Sequence, residues 1–426
     1  MFFPEIVESA LQPSNWLPLD HAALLAGIVG LTAGCARKDD EDVDLDELEK
    51  RVGQLEKISP KTQEQNSELA AHYAAWAVTL YNNDEGELED ILELFAKAEE
   101  IYKTSLEQDD IHETRRQLGN VYLEWGVVHN EYGELPSAVE AYDKAIKVLK
   151  PVSDSGDGEA KYDIAGIKLN LGIAYSELGM LDEAKASLDE AFIEYRAIEK
   201  ISALDTRLYM AVVSVQQGNI LHEMGDKLDN IVDAYNRAMR LYVEVIEDQN
   251  QIELERDLAN VLIDRSTVIY EDWANKKFES AKERMQVVDD VLLDIDRSIQ
   301  LLEKQQQGGD EIIRYDLFHA VALQGRVLCD AEYFEQAKEV LDRAIEEFAD
   351  LVEEEDAVMM QMAMAYATRA IVQMGLGHRD LSEQDCLKGS ELINQFLQSD
   401  GGDAEVQELK QQFQAMLEAL AEVEEK

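Results

Sequence analysis

The chain has 426 residues, more than one compact core can fill, and its 46% apolar content argues against wholesale disorder. Ninety acids stand against 39 bases, a formal charge of −51. That field repels phosphate backbones and offers no basic patch, which argues against direct nucleic-acid binding. It suits basic proteins, basic peptides or cations, and equally plain solubility or a salty medium.

In chain order, residues 1–36 read as a signal or membrane anchor. Ala22 to Ala36, AALLAGIVGLTAGCA, is uncharged and mostly apolar. It is shorter than the ~20 residues a spanning helix needs and suits a signal-peptide core. It closes on Leu31-Thr32-Ala33-Gly34-Cys35, which resembles the lipobox of bacterial lipoproteins. The resemblance implies that Cys35 is the lipidation site and that the chain is anchored in a bacterial envelope. Upstream, however, there is no Lys or Arg, and Glu5, Glu8 and Asp20 replace the usual positive charge. A short interfacial anchor, a buried apolar helix or a plain cytoplasmic chain are the alternatives.

Residues 37–66 read as an acidic spacer. Asp40, Asp42, Asp44 and Asp46 alternate as in a calcium loop, but the turn glycine and the terminal bidentate Glu are missing. Leu45, Leu48, Val52, Leu55 and Ile58 then predict one short amphipathic helix, ended by Ser59-Pro60.

From 67 to 398 the chain repeats itself. Tyr122, Trp125-Gly126, His129, Gly133, Ala138, Tyr142 and Ala145 form one unit. The order returns at Leu171, Gly172, Tyr175, Gly179, Ala184, Leu188 and Ala191, then at Gly218, Leu221, Gly225, Tyr235 and Ala238, and again at Gly325, Leu328, Phe334, Ala337, Leu341 and Ala344. Weaker copies run through Thr79, Gly86, Phe95 and Ala98, through Ser266, Phe278 and Ala281, and through Ala370, Gly377, Cys386 and Gly389. These residues resemble the tetratricopeptide pattern. Small residues let two antiparallel helices approach, large ones fill the groove between them, and each hairpin stacks on the next.

The resemblance implies an all-α fold, a right-handed α-solenoid of about seven tetratricopeptide-like hairpins. Gly126, Gly172 and Gly218 lie 46 residues apart, against about 34 in the usual repeat, so longer helices are expected. A long helix is predicted from Phe278 to Lys304, followed by a joint at QQQGGD. The segment 399–426, with Val406, Leu409, Phe413, Leu417 and Leu420 on one face, reads as a capping helix.

In such arrays the first helix of each hairpin lines the concave groove. Five places after the Gly-like position stand Asp84, Glu131, Glu177, Glu223, Glu271 and Asp330, with Gly375 in the seventh unit. Carboxylates at a helix C-terminus oppose the helix dipole by about 0.3–1 kcal/mol each. That opposition suggests a use, although background acidity accounts for part of the ladder. Leu123, Val127, Leu169, Ile173, Val215 and Asn219 lie beside them as a mostly apolar floor. An apolar floor with an acidic edge suits a basic or amphipathic protein segment. The Lys, Arg and Asn of the carboxylate clamp are missing.

No catalytic arrangement is present: the seven histidines are scattered and no Walker, GxSxG or GxGxxG motif occurs. Cys329 and Cys386 lie in apolar surroundings and read as core residues. The expectation is a non-enzymatic interaction scaffold without cofactor or metal, with a membrane tether at its N-terminus as the further expectation. The alternatives are a self-assembling structural protein and an accessory subunit of an enzyme complex.

Overall fold

A computed structural model describes residues 45–83, 85–199, 206–276, 281–306, 311–353, 356–399 and 404–422. Among them there are sixteen α-helices and no strand. The N-terminal segment with Cys35 lies outside the described residues, as does Asp84. The chain forms two compact units, which divide between Lys227 and Leu228.

The first unit opens with α1 (Leu45–Glu56), whose Leu48, Val52 and Leu55 are buried as their spacing requires. Three full hairpins follow: α2 (Gln63–Asn82) with α3 (Leu88–Gln108), α4 (His112–Glu131) with α5 (Leu135–Asp154), and α6 (Gly158–Glu177) with α7 (Leu181–Glu199). The helix α8 (Arg207–Glu223) completes the unit.

Local chemistry starts these helices. Thr62 and Gln65 form a reciprocal capping box at α2, with bonds of 3.2 and 3.0 Å. The Asp157 carboxylate accepts from the Ala160 amide at 2.9 Å at the start of α6. Pro151 does not end α5, which runs on to Asp154 with Val152 fully buried, so packing of the last turn outweighs the lost backbone bond.

Close approach within each hairpin explains the small residues. A Cβ on Gly172 would lie 2.7 Å from the Leu188 side chain, and Ala138, Ala145, Ala184 and Ala191 are fully buried. The turn closes with paired bonds from the next two amides. Gly179 donates to Ser176 at 2.7 Å and Met180 to Tyr175 at 2.8 Å, with Gly179 at φ +71°.

The second unit comprises α9 (Leu228–Gln249), α10 (Glu255–Asn275), α11 (Ala281–Gln305), α12 (Glu311–Asp330), α13 (Phe334–Glu347), α14 (Asp356–Gly375), α15 (Arg379–Ser399) and α16 (Ala404–Glu422). The predicted long helix is α11, and residues 277–280 and 307–310 beside it lie outside the described residues. Trp273 occupies the place where other hairpins carry the turn glycine. Its indole nitrogen donates to the Arg284 carbonyl at 3.2 Å, and the Arg284 guanidinium lies 5.1 Å from the ring centroid. Part-buried ion pairing ties α13, α14 and α15, where Arg369 bonds Asp342 at 2.9 Å and Asp385 at 2.6 Å.

The last helix, α16, buries Val406, Leu409, Phe413, Met416 and Leu420. Leu417, expected on that face, is partly buried beside it.

Candidate partner-binding face

In four hairpins the first helix ends on the acid named from sequence: Glu131 closes α4, Glu177 closes α6, Glu223 closes α8 and Asp330 closes α12, whereas α10 runs four residues past Glu271. In the first unit Glu131, Glu177 and Glu223 are exposed. Glu131 and Glu177 act on each other electrostatically. Partial burial raises both carboxyls, the charge of Glu131 raises Glu177 further, and a hydrogen bond from the Asn130 side chain pulls Glu177 back.

The apolar floor is a correction. Leu123, Val127, Leu169, Ile173 and Val215 are only 0–5% exposed, and Asn219 is buried as well. Leu123 and Val127 belong to the core of the first unit, and all five are buried, so they leave little open surface. Asp330 is a second correction. It belongs to the other unit, where its carboxylate accepts from the Tyr270 hydroxyl and the Arg284 guanidinium bonds its backbone carbonyl at 3.1 Å. Burial raises its pKa, and the charges of Arg326 and Arg284 oppose that. Internal partners therefore occupy it. Glu271 is half-buried in that same unit and engages other groups.

Other side chains complete the face in the first unit. Glu124 stands two residues before Gly126, and burial pushes its carboxyl up to about 7. Asn170 and Gln216 hold the same place before Gly172 and Gly218 and are 6% and 4% exposed. In the second unit the place goes to Asp264, Leu323 and Thr368, all buried. Polar residues at five of these seven places, with Ala77 and Leu323 at the others, were the available sequence signal. Tyr81 at the end of α2 is raised to about 12 by burial and then by Glu131, Tyr132 and Glu124. Tyr142 of α5 is 2% exposed, and its pKa is raised by burial and by Glu124, Glu131, Glu177 and Tyr81 together.

Gly126 makes that last placement possible. A Cβ there would overlap the Tyr142 ring, so glycine lets the ring lie on the α4 backbone.

The histidines are engaged elsewhere: His129 bonds Glu134 at 2.7 Å, His378 bonds Gln373 at 2.9 Å, and His319 lies 3.2 Å from Gln361. Cys329 and Cys386 are buried free thiols, and burial pushes Cys386 up to about 12. Among the described residues no group of His, Cys, Asp and Glu could hold a metal, and no helix is long and apolar enough to cross a membrane.

No family model and no curated protein sequence matches the chain. Solved structures do. The chain is similar to a signal transduction ATPase with numerous domains that carries a tetratricopeptide repeat sensor, from Pyrococcus horikoshii. The two are 13% identical with a TM-score of 0.54, and the match spans 93% of this chain and 55% of that one. It also matches the apo quorum sensor NprR from B. thuringiensis at 17% identity and a TM-score of 0.46, over 91% and 92% of the two chains. BtubC from P. vanneervenii matches at 17% and 0.44, over 62% and 91%. The first likeness, together with the hairpin geometry, makes this an all-α protein of the tetratricopeptide-like helical-repeat class.

Proposed function

We propose that this chain is an interaction scaffold that binds a basic or amphipathic segment of a partner protein and performs no chemistry of its own. The observation that carries this reading is the acidic end of the first unit. Glu131, Glu177 and Glu223 close α4, α6 and α8 and are exposed, the charge of Glu131 reaches Glu177, and neither of those two forms an ion pair with a basic side chain among the described residues. Clustered carboxylates raise each other's energy, and an incoming cation relieves that cost. A repeat array spends its helices on stacking and offers one continuous lining, which suits recognition of a chain segment.

The test is partner capture from the native source by the full chain, compared with the variant carrying Glu131→Gln, Glu177→Gln and Glu223→Gln. Capture should weaken with salt, because exposed charges are screened beyond ~10 Å at about 0.1 M. It should drop in the triple variant while helicity is kept. Capture indifferent to both changes would refute the reading.

Tethering is the second part of the proposal. The lipobox-like run ending at Cys35 would hold the scaffold at a bacterial membrane. Mass spectrometry of native protein should find Cys35 as a lipidated first residue, and an unmodified chain beginning at Met1 would overturn it. A self-assembling role is disfavoured by α16, whose apolar face is already spent on its own unit.

A further inference from the structure

We infer that the turn edge of the first unit, where Tyr132, Met180 and Met224 stand beside Glu131, Glu177 and Glu223, docks an extended segment of the partner protein that carries an apolar and a basic side chain in every three residues. This rests on the scaffold reading and names where on the unit the segment lies and how it repeats.

Two independent observations converge. The first is apolar surface in register. Tyr132 and Met224 directly precede the turn glycines Gly133 and Gly225, and Met180 directly follows Gly179. They are 44%, 39% and 39% exposed in that order of Tyr132, Met224 and Met180. In the second unit the same places hold Ala331, Tyr333 and Leu376, and these pack against that unit's core. Turn geometry asks for Gly, Asn, Asp or Ser and has no need of a large apolar side chain. Three consecutive turns that each hold one out to water therefore make a contact surface rather than a scatter. The second observation is charge. Each of these turns follows a helix whose last residue is an exposed glutamate, so the apolar row has an acidic row beside it. Next to Glu131, the Asn130 Oδ1 is buried with no hydrogen-bond partner among the described residues, and it too calls for an incoming donor. Apolar side chains flanked by carboxylates are complementary to a segment that is apolar and basic.

The spacing selects the conformation. The helices α4, α6 and α8 pack directly on one another in that order. Packed helices lie about 8–10 Å apart, which sets the step from one turn to the next. A polyproline II segment rises about 3.1 Å per residue with three residues per turn, so it shows the same face every ~9 Å. Every third residue then meets the next turn. A β-strand repeats its face after ~6.6 Å and an α-helix after ~5.4 Å, and both fall out of step across three turns. Polyproline II also leaves its backbone solvated, which suits an edge made of helix ends with no strand to pair. Within each three residues one apolar side chain meets Tyr132, Met180 or Met224, and one basic side chain meets the neighbouring glutamate.

The test is fluorescence anisotropy of a labelled peptide amide, Pro-Leu-Arg repeated three times, titrated with the full chain at low salt. A peptide of the same composition in scrambled order and a Pro-Leu-Glu repeat serve as comparison probes. The Pro-Leu-Arg repeat should bind about fivefold or more tightly than the scrambled peptide, and the Pro-Leu-Glu repeat should not bind. The chain carrying Tyr132→Ser, Met180→Ser and Met224→Ser should lose the preference for the repeat with an unchanged circular dichroism spectrum, because all three side chains are exposed. Equal affinity for the repeat and the scrambled peptide, or a full preference in the folded serine variant, would overturn the docking edge. Partner capture from the native source is read in the same serine variant. Capture that survives there and fails in the chain carrying Glu131→Gln, Glu177→Gln and Glu223→Gln removes the edge and leaves the scaffold standing. Preference for the repeat without any partner capture removes the scaffold and, with it, a partner segment as the occupant.

Discussion

Glu332 shows how strictly the turn geometry is held. It lies seven residues after Gly325, the place of Gly133, Gly179 and Gly225, and it adopts the same left-handed conformation at φ +64°. Its amide still donates to Cys329 at 2.9 Å, and the next amide donates to Leu328 at 2.9 Å. The backbone bonds of the turn therefore override the side-chain penalty. Glu332→Gly should stabilise the chain by about 0.5–1 kcal/mol, read as a raised denaturant midpoint at unchanged slope. The opposite experiment is Gly172→Val. A Cβ there meets Leu188 at 2.7 Å and the Ala184 carbonyl at 3.4 Å, so the hairpin must open. A loss of about 1–3 kcal/mol is expected in the same measurement. Sequence spacing located both turn and contact, yet it read Asp330 as a ligand-facing acid. Tyr270, sixty residues away, claims it, and no local pattern reports a partner at that distance.

Among the elements, α16 carries the clearest consequence. It buries five apolar side chains, and Phe413 packs where Gly389 of α15 leaves room. The Arg379 guanidinium also donates to the Leu420 carbonyl. Removing residues 400–426 would expose that face of the last hairpin, at a cost of several kcal/mol by area. Size-exclusion chromatography should then show concentration-dependent association, because an uncovered repeat end seeks another surface. A truncated chain that stays monomeric and equally stable would mean that α16 is not a cap. Both flanking helices, α1 and α16, were legible from apolar spacing alone. The fifth repeat was legible only as a weak copy, and there Trp273 packs on Arg284 at the place where other hairpins carry the turn glycine.

For the molecule as a whole, stability should depend on pH in an unusual direction. Burial raises Glu124 to about 7 and Asp163 and Asp257 to about 6. A carboxylate raised in the folded state stabilises when protonated, and that contribution is lost as pH rises through the folded value. His319 opposes this, since burial lowers it to about 4 and its cost grows as pH falls below its ordinary value near 6.5. Three carboxylates outweigh one histidine between about pH 8 and pH 6, and the fall in net negative charge acts the same way. The melting temperature should rise over that interval on scanning calorimetry. Glu124→Gln should flatten the rise, and a maximum at alkaline pH would contradict the account.

The sequence by itself determined the helical class, the hairpin register and the helices at both ends, because period, small-residue spacing and turn glycines act within one hairpin. It also placed Glu131, Glu177 and Glu223 at their helix ends. Only the tertiary structure decided which of the acids stand free, which apolar groove residues are consumed by packing, and that Tyr270 claims Asp330. Those outcomes depend on neighbours brought together by stacking, and burial and the field of nearby charges are properties of that assembled surface rather than of any local run of residues.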